Sequence, residues 1–385
     1  MKILHISDLH LGKRLESFSL LEDQAYILNR IVETIREQHI RVLLIAGDVY
    51  DKSVPPEDAV NLLDSFLSRL NELGVVVLMI SGNHDSAERL RFGESFFRKA
   101  NVHIATNYDN GVGHVVVDGV HFHLFPFARP VHIGYRFADE LQASGLTMSS
   151  YEDMMRFLVE KKCALQPGAV NIAVVHQFVT ANNRGPESAG SEAASTSLGG
   201  IDNIDYHCFD AFDYVALGHI HKPQAMGRQT VRYSGSILKY SRDEAVQTKS
   251  MTLLEVQEGA SCPVSISTIL CTPLRDLRSI SCTWEELRTM PGEKLGNTDD
   301  YVVVNFTDEE DVVEAYFKAR SIFQHSLGVV RHTRRQESSE GSPDSVDVAK
   351  SPLQLFAEFY FSQNGEPLTD KQLAAVQKLM EECEL

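Results

Sequence analysis

The chain has 385 residues, of which 43% are apolar, 23% charged and 8% aromatic, an ordinary globular composition that excludes collagen-like, coiled-coil-dominated and wholly disordered readings. At about 150 residues per domain, the length predicts two or three domains. A formal charge of −17 argues against a stand-alone nucleic-acid-binding module, which would be basic or carry a basic stripe. It weighs less against an enzyme that draws positive charge from bound metal ions or a partner subunit.

Residues 2–6 read as a short strand, and residues 23–38 show helical spacing through Tyr26, Ile27, Ile31 and Ile35. A β-branched and leucine run at 41–46 precedes an amphipathic stretch at 56–73, and 75–80 is a fully apolar strand. Repeated β–α–β order predicts a sheet of parallel strands covered by helices. The pattern then changes. Residues 114–117 and 120–125 flank Asp118-Gly119, the strongest short hairpin signal. Further buried strands are expected at 170–175 and 213–217, and antiparallel strands at 230–233 and 251–256. Together these predict an α/β fold of two packed mixed sheets with helices outside. The Ser, Ala and Gly-rich stretch 185–200 reads as a loop.

A small α/β unit is expected from Cys271, with strands at 300–306 and 328–332 around a helix at 309–323. Residues 336–345 have linker composition. Two short amphipathic helices follow, one presenting Leu353, Phe356, Phe359 and Tyr360. The other opens on a capping box of Thr369 with Gln372 and presents Leu373, Val376, Leu379 and Met380. The expected domains are therefore 1–270, 271–335 and 336–385. The longest apolar run, 75–80, is far short of a membrane span, and no secretory signal follows Lys2. Cys163, Cys208, Cys262, Cys271, Cys282 and Cys383 show no CxxC spacing. A reduced, cytoplasmic protein without a disulfide framework is expected.

Five strand candidates end in one kind of chemistry. They lead to Asp8-x-His10, Gly47-Asp48, Gly82-Asn83-His84-Asp85, His176 and Gly218-His219-x-His221. Loops at the carboxyl ends of strands in an α/β sheet converge on one crevice. Two carboxylates, several imidazoles and an amide oxygen suit a pair of divalent ions such as manganese, iron or zinc, and suit calcium poorly. Glycines before Asp48, Asn83 and His219 are expected to let the chain turn sharply out of each strand. Each piece alone has an ordinary reading as a cap, turn or strand-end residue; the ordered set does not.

These motifs resemble those of the calcineurin-like metallophosphoesterases, and the blocks SDLHLGK (7–13), AGDVYD (46–51), GNHDS (82–86), ALGHIHKPQ (216–224) and YSGSILKYSRDE (233–244) resemble the SbcD family of nuclease subunits within them. The resemblance implies a four-layer sandwich with a small capping domain. It implies one ion on Asp8, His10, Asp48 and His221 and a second on Asp48, Asn83, His176 and His219. His84 would face the scissile phosphate without ligating. Asp85 would either orient His84 or stabilise the turn. Asp51, where archaeal and eukaryotic relatives carry histidine, stays outside the catalytic set. The implied activity is in-line hydrolysis of DNA phosphodiesters with two ions, most naturally Mn2+, without a covalent enzyme intermediate. An SbcC-type ATPase is the implied partner, docked by the C-terminal helices, around a nuclease homodimer within a heterotetramer. The rival readings are a phosphoprotein phosphatase, a cyclic-nucleotide phosphodiesterase or a non-catalytic scaffold on the same fold.

Three other groups invite a reading. His121 and His123 form an H-x-H pair on the hairpin without a carboxylate partner, and read as an ordinary strand face. Lys13-Arg14, Arg89 and Arg91 either touch DNA phosphates or are solvated. The cluster Arg331-His332-Thr333-Arg334-Arg335 is either a DNA-facing edge or a salt-bridged strand end.

Overall fold

The structure, a computed structural model, describes residues 1–182, 184–188, 203–257, 259, 263–308 and 312–331, with 356–357, 360–361, 367–369, 372–373 and 375–376 beyond them. Numbering only the strands of the three larger sheets and the helices used below, the chain order is β1 (Lys2–Ile6), α1 (Leu21–Gln38), β2 (Val42–Ala46), α2 (Glu57–Glu72), β3 (Val76–Ile80), β4 (Val102–Ala105), β5 (Gly113–Val117) and β6 (Val120–Phe125). Then come α3 (Pro130–Arg136), α4 (Tyr151–Phe157), β7 (Asn171–His176), β8 (Tyr214–Gly218), β9 (Gln224–Met226), β10 (Arg228–Tyr233), β11 (Ser250–Val256) and β12 (Val264–Leu270). A third group follows: β13 (Leu277–Cys282), β14 (Tyr301–Phe306), α5 (Ala315–Ile322) and β15 (His325–Arg331).

The first sheet runs β12-β11-β1-β2-β3-β4. Its β–α–β half is parallel, and β11 closes on β1 antiparallel. The second runs β9-β10-β8-β7-β6-β5. In it β5 and β6 form the predicted hairpin, with Asp118 at φ 48° and Gly119 at φ 82°, the two left-handed residues of a type I′ turn. The antiparallel expectation for 230–233 holds on one side only. β10 pairs antiparallel with β9 but parallel with β8, because the short β9 inserts between them in sequence and not in space.

Period-2 alternation explains the layers. Along β2, Val42, Leu44 and Ala46 point into the core between the sheets, where Phe122, Leu124, Ile172, Val174, Tyr214 and Ala216 meet them from the second sheet. Leu43 and Ile45 point the other way, against Ile27 and Ile31 of α1 and Leu63, Phe66 and Leu67 of α2. On the far side, Met154 and Met155 of α4 and Ile133 of α3 cover Ala173, Val175, Val215 and Leu217. Helix, sheet, sheet, helix is therefore the order of layers.

The small parallel sheet β13-β14-β15 divides its faces in the same way. Tyr301 and Val303 join the first sheet's outer core, while Val302, Val304 and Phe306 pack on Ala315 and Ala319 of α5. Arg275 fastens it to α1, with Nη1 3.1 Å from Asp23, Nη2 2.7 Å from Glu22 and Nε 2.9 Å from Asp299. Residues Met1–Arg331 form one compact unit and His332–Leu385 a second. In the second, Gln372 accepts from the Thr369 amide at 2.9 Å and its own amide reaches the Thr369 hydroxyl at 3.4 Å. The reciprocal capping pair read from the sequence is formed. The linker 336–345, the basic residues 332–335 and most of the two amphipathic helices lie outside the described residues, as does most of the 185–200 stretch. Among the described residues no helix is long and apolar enough to cross a membrane.

Candidate metal centre

All eight residues singled out for the site converge at the carboxyl rim of the two sheets. Asp8, His10, Asp48, Asn83 and His84 arrive from the first sheet, after β1, β2 and β3. His176, His219 and His221 arrive from the second, at the end of β7 and after β8. The backbone is strained where it delivers them. Of the ten non-glycine residues with positive φ among the described residues, four are Asp8 (53°), His10 (43°), Asp48 (49°) and His219 (101°). Such conformations persist where the surroundings over-determine them, and they gather at functional sites.

The glycines act differently from expectation at two of three places. Gly47, at φ 88°, makes the sharp turn before Asp48. Gly82 and Gly218 have no left-handed φ and serve close approach instead. A Cβ on Gly82 would lie 2.2 Å from Asp48 Oδ1, and one on Gly218 would lie 1.8 Å from the Ala46 carbonyl oxygen.

Asp8, His10, Asp48, His176 and His221 are buried, His219 is half-buried, and Asn83 and His84 are exposed. The cage is thus closed below and open at one lip. His10 Nε2 lies 3.1 Å from His221 Nε2 and 3.7 Å from Asp48 Oδ2. His176 Nε2 lies 3.0 Å from Asn83 Oδ1 and 3.4 Å from Asp48 Oδ2, and His219 Nδ1 lies 2.9 Å from the same Asn83 oxygen. Among the described residues, three groups of side chains place ligand atoms within 4.8 Å of one another: Asp8, His10 and His221; His10, Asp48 and His84; Asp8, Asp48 and His176.

The donor set fits cations on its own chemistry. His221 Nδ1 is 3.0 Å from Glu244 Oε1 and His176 Nδ1 is 2.8 Å from the Ala46 carbonyl. Each bond puts the proton on Nδ1 and the lone pair on Nε2. Nε2 of His10 and of His221 then face each other at 3.1 Å, and Nε2 of His176, Asn83 Oδ1 and Asp48 Oδ2 share a second point. Ligand atoms converging in this way in a buried place suit a positive ion.

The titration behaviour follows from burial and crowding. Burial pushes Asp8 up, against the charges of His176 and His221. Burial would do the same to Asp48, but the charge and hydrogen bond of His176, with His10 and His84 beyond, hold it far below the usual carboxylate range. Burial lowers His176, yet the Asp48 charge outweighs it and raises the group to about 9. Burial, reinforced by the charge of His176, brings His219 down to about 3. His10 is likewise held well below its usual value by burial.

Two questions left open by the sequence are settled by geometry. Asp85 stabilises the turn. Its carboxylate accepts from the backbone amides of Val49 (3.1 Å), Tyr50 (2.9 Å) and Gly82 (2.8 Å), tying the loop after β2 to the loop after β3. His84 is oriented from elsewhere, its Nδ1 2.9 Å from the Asp51 carbonyl oxygen. The Asp51 carboxylate faces Lys13 Nζ at 2.8 Å and His10 Nδ1 at 3.6 Å. Sequence reasoning assigned no role to Glu244, whose only signal was membership of the block 233–244, or to Lys249, which lies outside every such block. The bystanders are also placed. His123 is buried between Asn171 (3.0 Å) and Cys163 (3.2 Å), a polar knot in the second sheet. Lys13 and Arg91 are ion-paired, with Asp51 and Asp109.

Residues 1–223 match the calcineurin-like phosphoesterase family, more than half of the 385-residue chain. The chain belongs to the calcineurin-like phosphoesterases, hydrolases of phosphate esters, and its Asp/His clusters are compatible with a dimetal site. Residues 273–364 match SbcD_C, described as the type 5 capsule protein repressor C-terminal domain, which relates the chain to the SbcD-like branch of that superfamily. Among solved structures, a novel archaeal phosphodiesterase is 12% identical over 70% of this chain and 99% of its own, with a TM-score of 0.29. A dimetal phosphatase from Danio rerio is 12% identical over 71% of this chain and 99% of its own, with a TM-score of 0.38. Overlaps of this size carry no argument about function.

Proposed function

We propose that this chain is the nuclease subunit of a DNA end-processing complex, a bacterial SbcD in kind. It would cleave duplex ends in the 3′→5′ direction and open hairpins and single strands, in the cytoplasm and under the control of an SbcC-type ATPase. The observation that carries the reading is the cage itself: buried oxygens and imidazole lone pairs gathered at two adjoining points, with Asn83, His84 and His219 left at an open lip. Asp8, His10, Asp48 and His221 would hold one ion, Asp48, Asn83, His176 and His219 the other, with Asp48 shared between them. Paired divalent ions, Mn2+ the expected pair, supply the charge that stabilises the attacking and leaving oxygens of an in-line displacement. The chain's own contribution is position. Asp85 sets the spacing of the two loops, and the Asp51 carbonyl fixes the His84 ring so that its other nitrogen meets the phosphate oxygen on which charge develops.

The SbcD_C match favours a nuclease over a phosphoprotein phosphatase or a cyclic-nucleotide phosphodiesterase, neither of which accounts for the appended module. The acidic charge of −17 agrees with a partner that supplies the DNA-clamping surface. The test is Mn2+-dependent cleavage of hairpin and duplex DNA, with and without the ATPase, beside a phosphopeptide and a cyclic nucleotide. Faster turnover of either of the last two than of DNA overturns the reading. His84→Ala should keep both ions while cleavage falls by about 10²–10⁴-fold; near-normal turnover removes His84 from the mechanism. Deleting residues 351–385 should abolish co-purification with the ATPase and spare metal binding. The expected assembly is a heterotetramer around a nuclease homodimer, measurable as its mass in solution.

A further inference from the structure

The two imidazoles that face each other across 3.1 Å, His10 and His221, are backed in the same way from opposite sides. Behind His221 Nδ1 stands Glu244, with Oε1 at 3.0 Å. Behind Glu244 stands Lys249, its Nζ 2.6 Å from Oε2 and 2.8 Å from the His221 carbonyl oxygen. Behind His10 Nδ1 stands Asp51, with Oδ1 at 3.6 Å, and behind Asp51 stands Lys13 at 2.8 Å. The two histidine–carboxylate–lysine relays share no residue.

The first relay is sealed. Glu244 is fully buried and Lys249 nearly so. The carboxylate also accepts from Ser241 Oγ at 3.1 Å and the Tyr240 amide at 3.2 Å. A charge so placed is tolerated only when paired and fully bonded, and this one is. The second relay is looser. His10 Nδ1 has no hydrogen-bond partner although it is buried, and Asp51 Oδ1 stands 3.6 Å from it. A buried ring nitrogen without a partner, with a lysine-paired carboxylate just beyond bonding distance, is an arrangement that tightens when the ring's other nitrogen is engaged.

Among the described residues the second cluster has no such backing. His176 Nδ1 bonds a main-chain carbonyl, that of Ala46, at 2.8 Å, and His219 Nδ1 points inward, at the side-chain oxygen of Asn83 that is assigned to the same ion. An ionised carboxylate raises the basicity of the imidazole it orients more than a neutral amide or carbonyl does.

We infer that Glu244 and Asp51, each ion-paired with a lysine, are the positioning residues of one ion only, the ion shared by His10 and His221, and that they make it the tighter-held of the two. The inference rests on the two-ion reading above, and it deepens that reading by dividing the pair into a resident ion and an exchangeable one.

The experiment is a Mn2+ titration of the full chain, stripped with EDTA and free of DNA, read by the electron paramagnetic resonance of unbound Mn2+. The wild-type chain should bind two ions with unequal affinity. Glu244→Gln and Asp51→Asn should each weaken the tighter ion by about 10–100-fold and leave the weaker ion unchanged. Two substitutions in different relays would thus strike the same ion. A general structural defect would weaken both ions and lower the melting temperature in EDTA, which is measured alongside. Should Glu244→Gln fail to fold once Lys249 loses this carboxylate, Asp51→Asn, at a site 10% exposed, decides alone. Folded variants that bind both ions as the wild type does overturn the positioning roles. A wild-type chain that takes up no Mn2+ overturns the two-ion reading itself, which separates the two failures.

Discussion

His5 lies on β1 with no solvent exposure, and its Nδ1 is 3.0 Å from the Tyr214 hydroxyl on β8, so it bonds one sheet to the other. Burial, helped by the charge of Arg232 and against a backbone bond from Leu217, lowers its pKa to about 3. The folded chain therefore refuses a proton that the unfolded chain accepts below about 6.5. Stability is full above that value and falls as the pH drops toward 3, by at most about 1.4 kcal/mol per pH unit from this group. Denaturant midpoints in EDTA at pH 7.5 and 5 should show the decline in the wild type and a shallower one in His5→Gln. Asp85 gives a sharper case. Its replacement by alanine strands the amides of Val49, Tyr50 and Gly82, at about 1–3 kcal/mol for each buried unmet group. Asp85→Ala should lose Mn2+ binding together with stability. The ligand candidates were legible in the sequence because five strand ends carried them in order. Asp85 was legible only as one of two alternatives, and Asp51 and Glu244 had no assigned role, because these roles depend on what the residues face across gaps of 35 and 36 residues for Asp85 and 23 for Glu244.

At the scale of the element, the strand ends are set by contacts that only glycine permits. A methyl group on Gly218 would sit 1.8 Å from the Ala46 oxygen, so Gly218→Ala must push β8 away from β2. The expected result is a large loss of stability, above the usual 0.5–3 kcal/mol of a point substitution, seen as a lowered melting temperature even without metal. The central strands and the two long helices were readable from period and from β-branched runs, and the hairpin from Asp118-Gly119, whereas Val102–Ala105, Gln224–Met226 and Val264–Leu270 were not read as strands. What period cannot convey is the partner. Nothing in the residues of β10 distinguishes its parallel neighbour β8 from its antiparallel neighbour β9, since both pairings bury the same alternate side chains. Two strands of the small sheet and its helix were legible, but not the first strand, Leu277–Cys282, nor the packing on α1 through Arg275.

For the whole molecule, Arg275 is the clamp between the small sheet and the first layer. Removing it leaves Asp23, 1% exposed, without its ion partner, and breaking a buried pair costs about 3–5 kcal/mol. Arg275→Ala should lower the denaturant midpoint accordingly, while Glu22→Ala, which loses only an exposed carboxylate, should change it little.

The cage draws its candidate ligands from both sheets: Asp8, His10, Asp48 and Asn83 on one side of the inter-sheet core, His176, His219 and His221 on the other. Ions seated there would act as rivets across the sandwich. An ion present at about one hundred times its dissociation constant should add about 2.7 kcal/mol to the folded state, and EDTA should withdraw it as a drop in melting temperature. Slippage between the layers would in turn spread the ligands and release the ions. Durability of the scaffold and readiness of its chemistry would then rise and fall together with the local supply of metal.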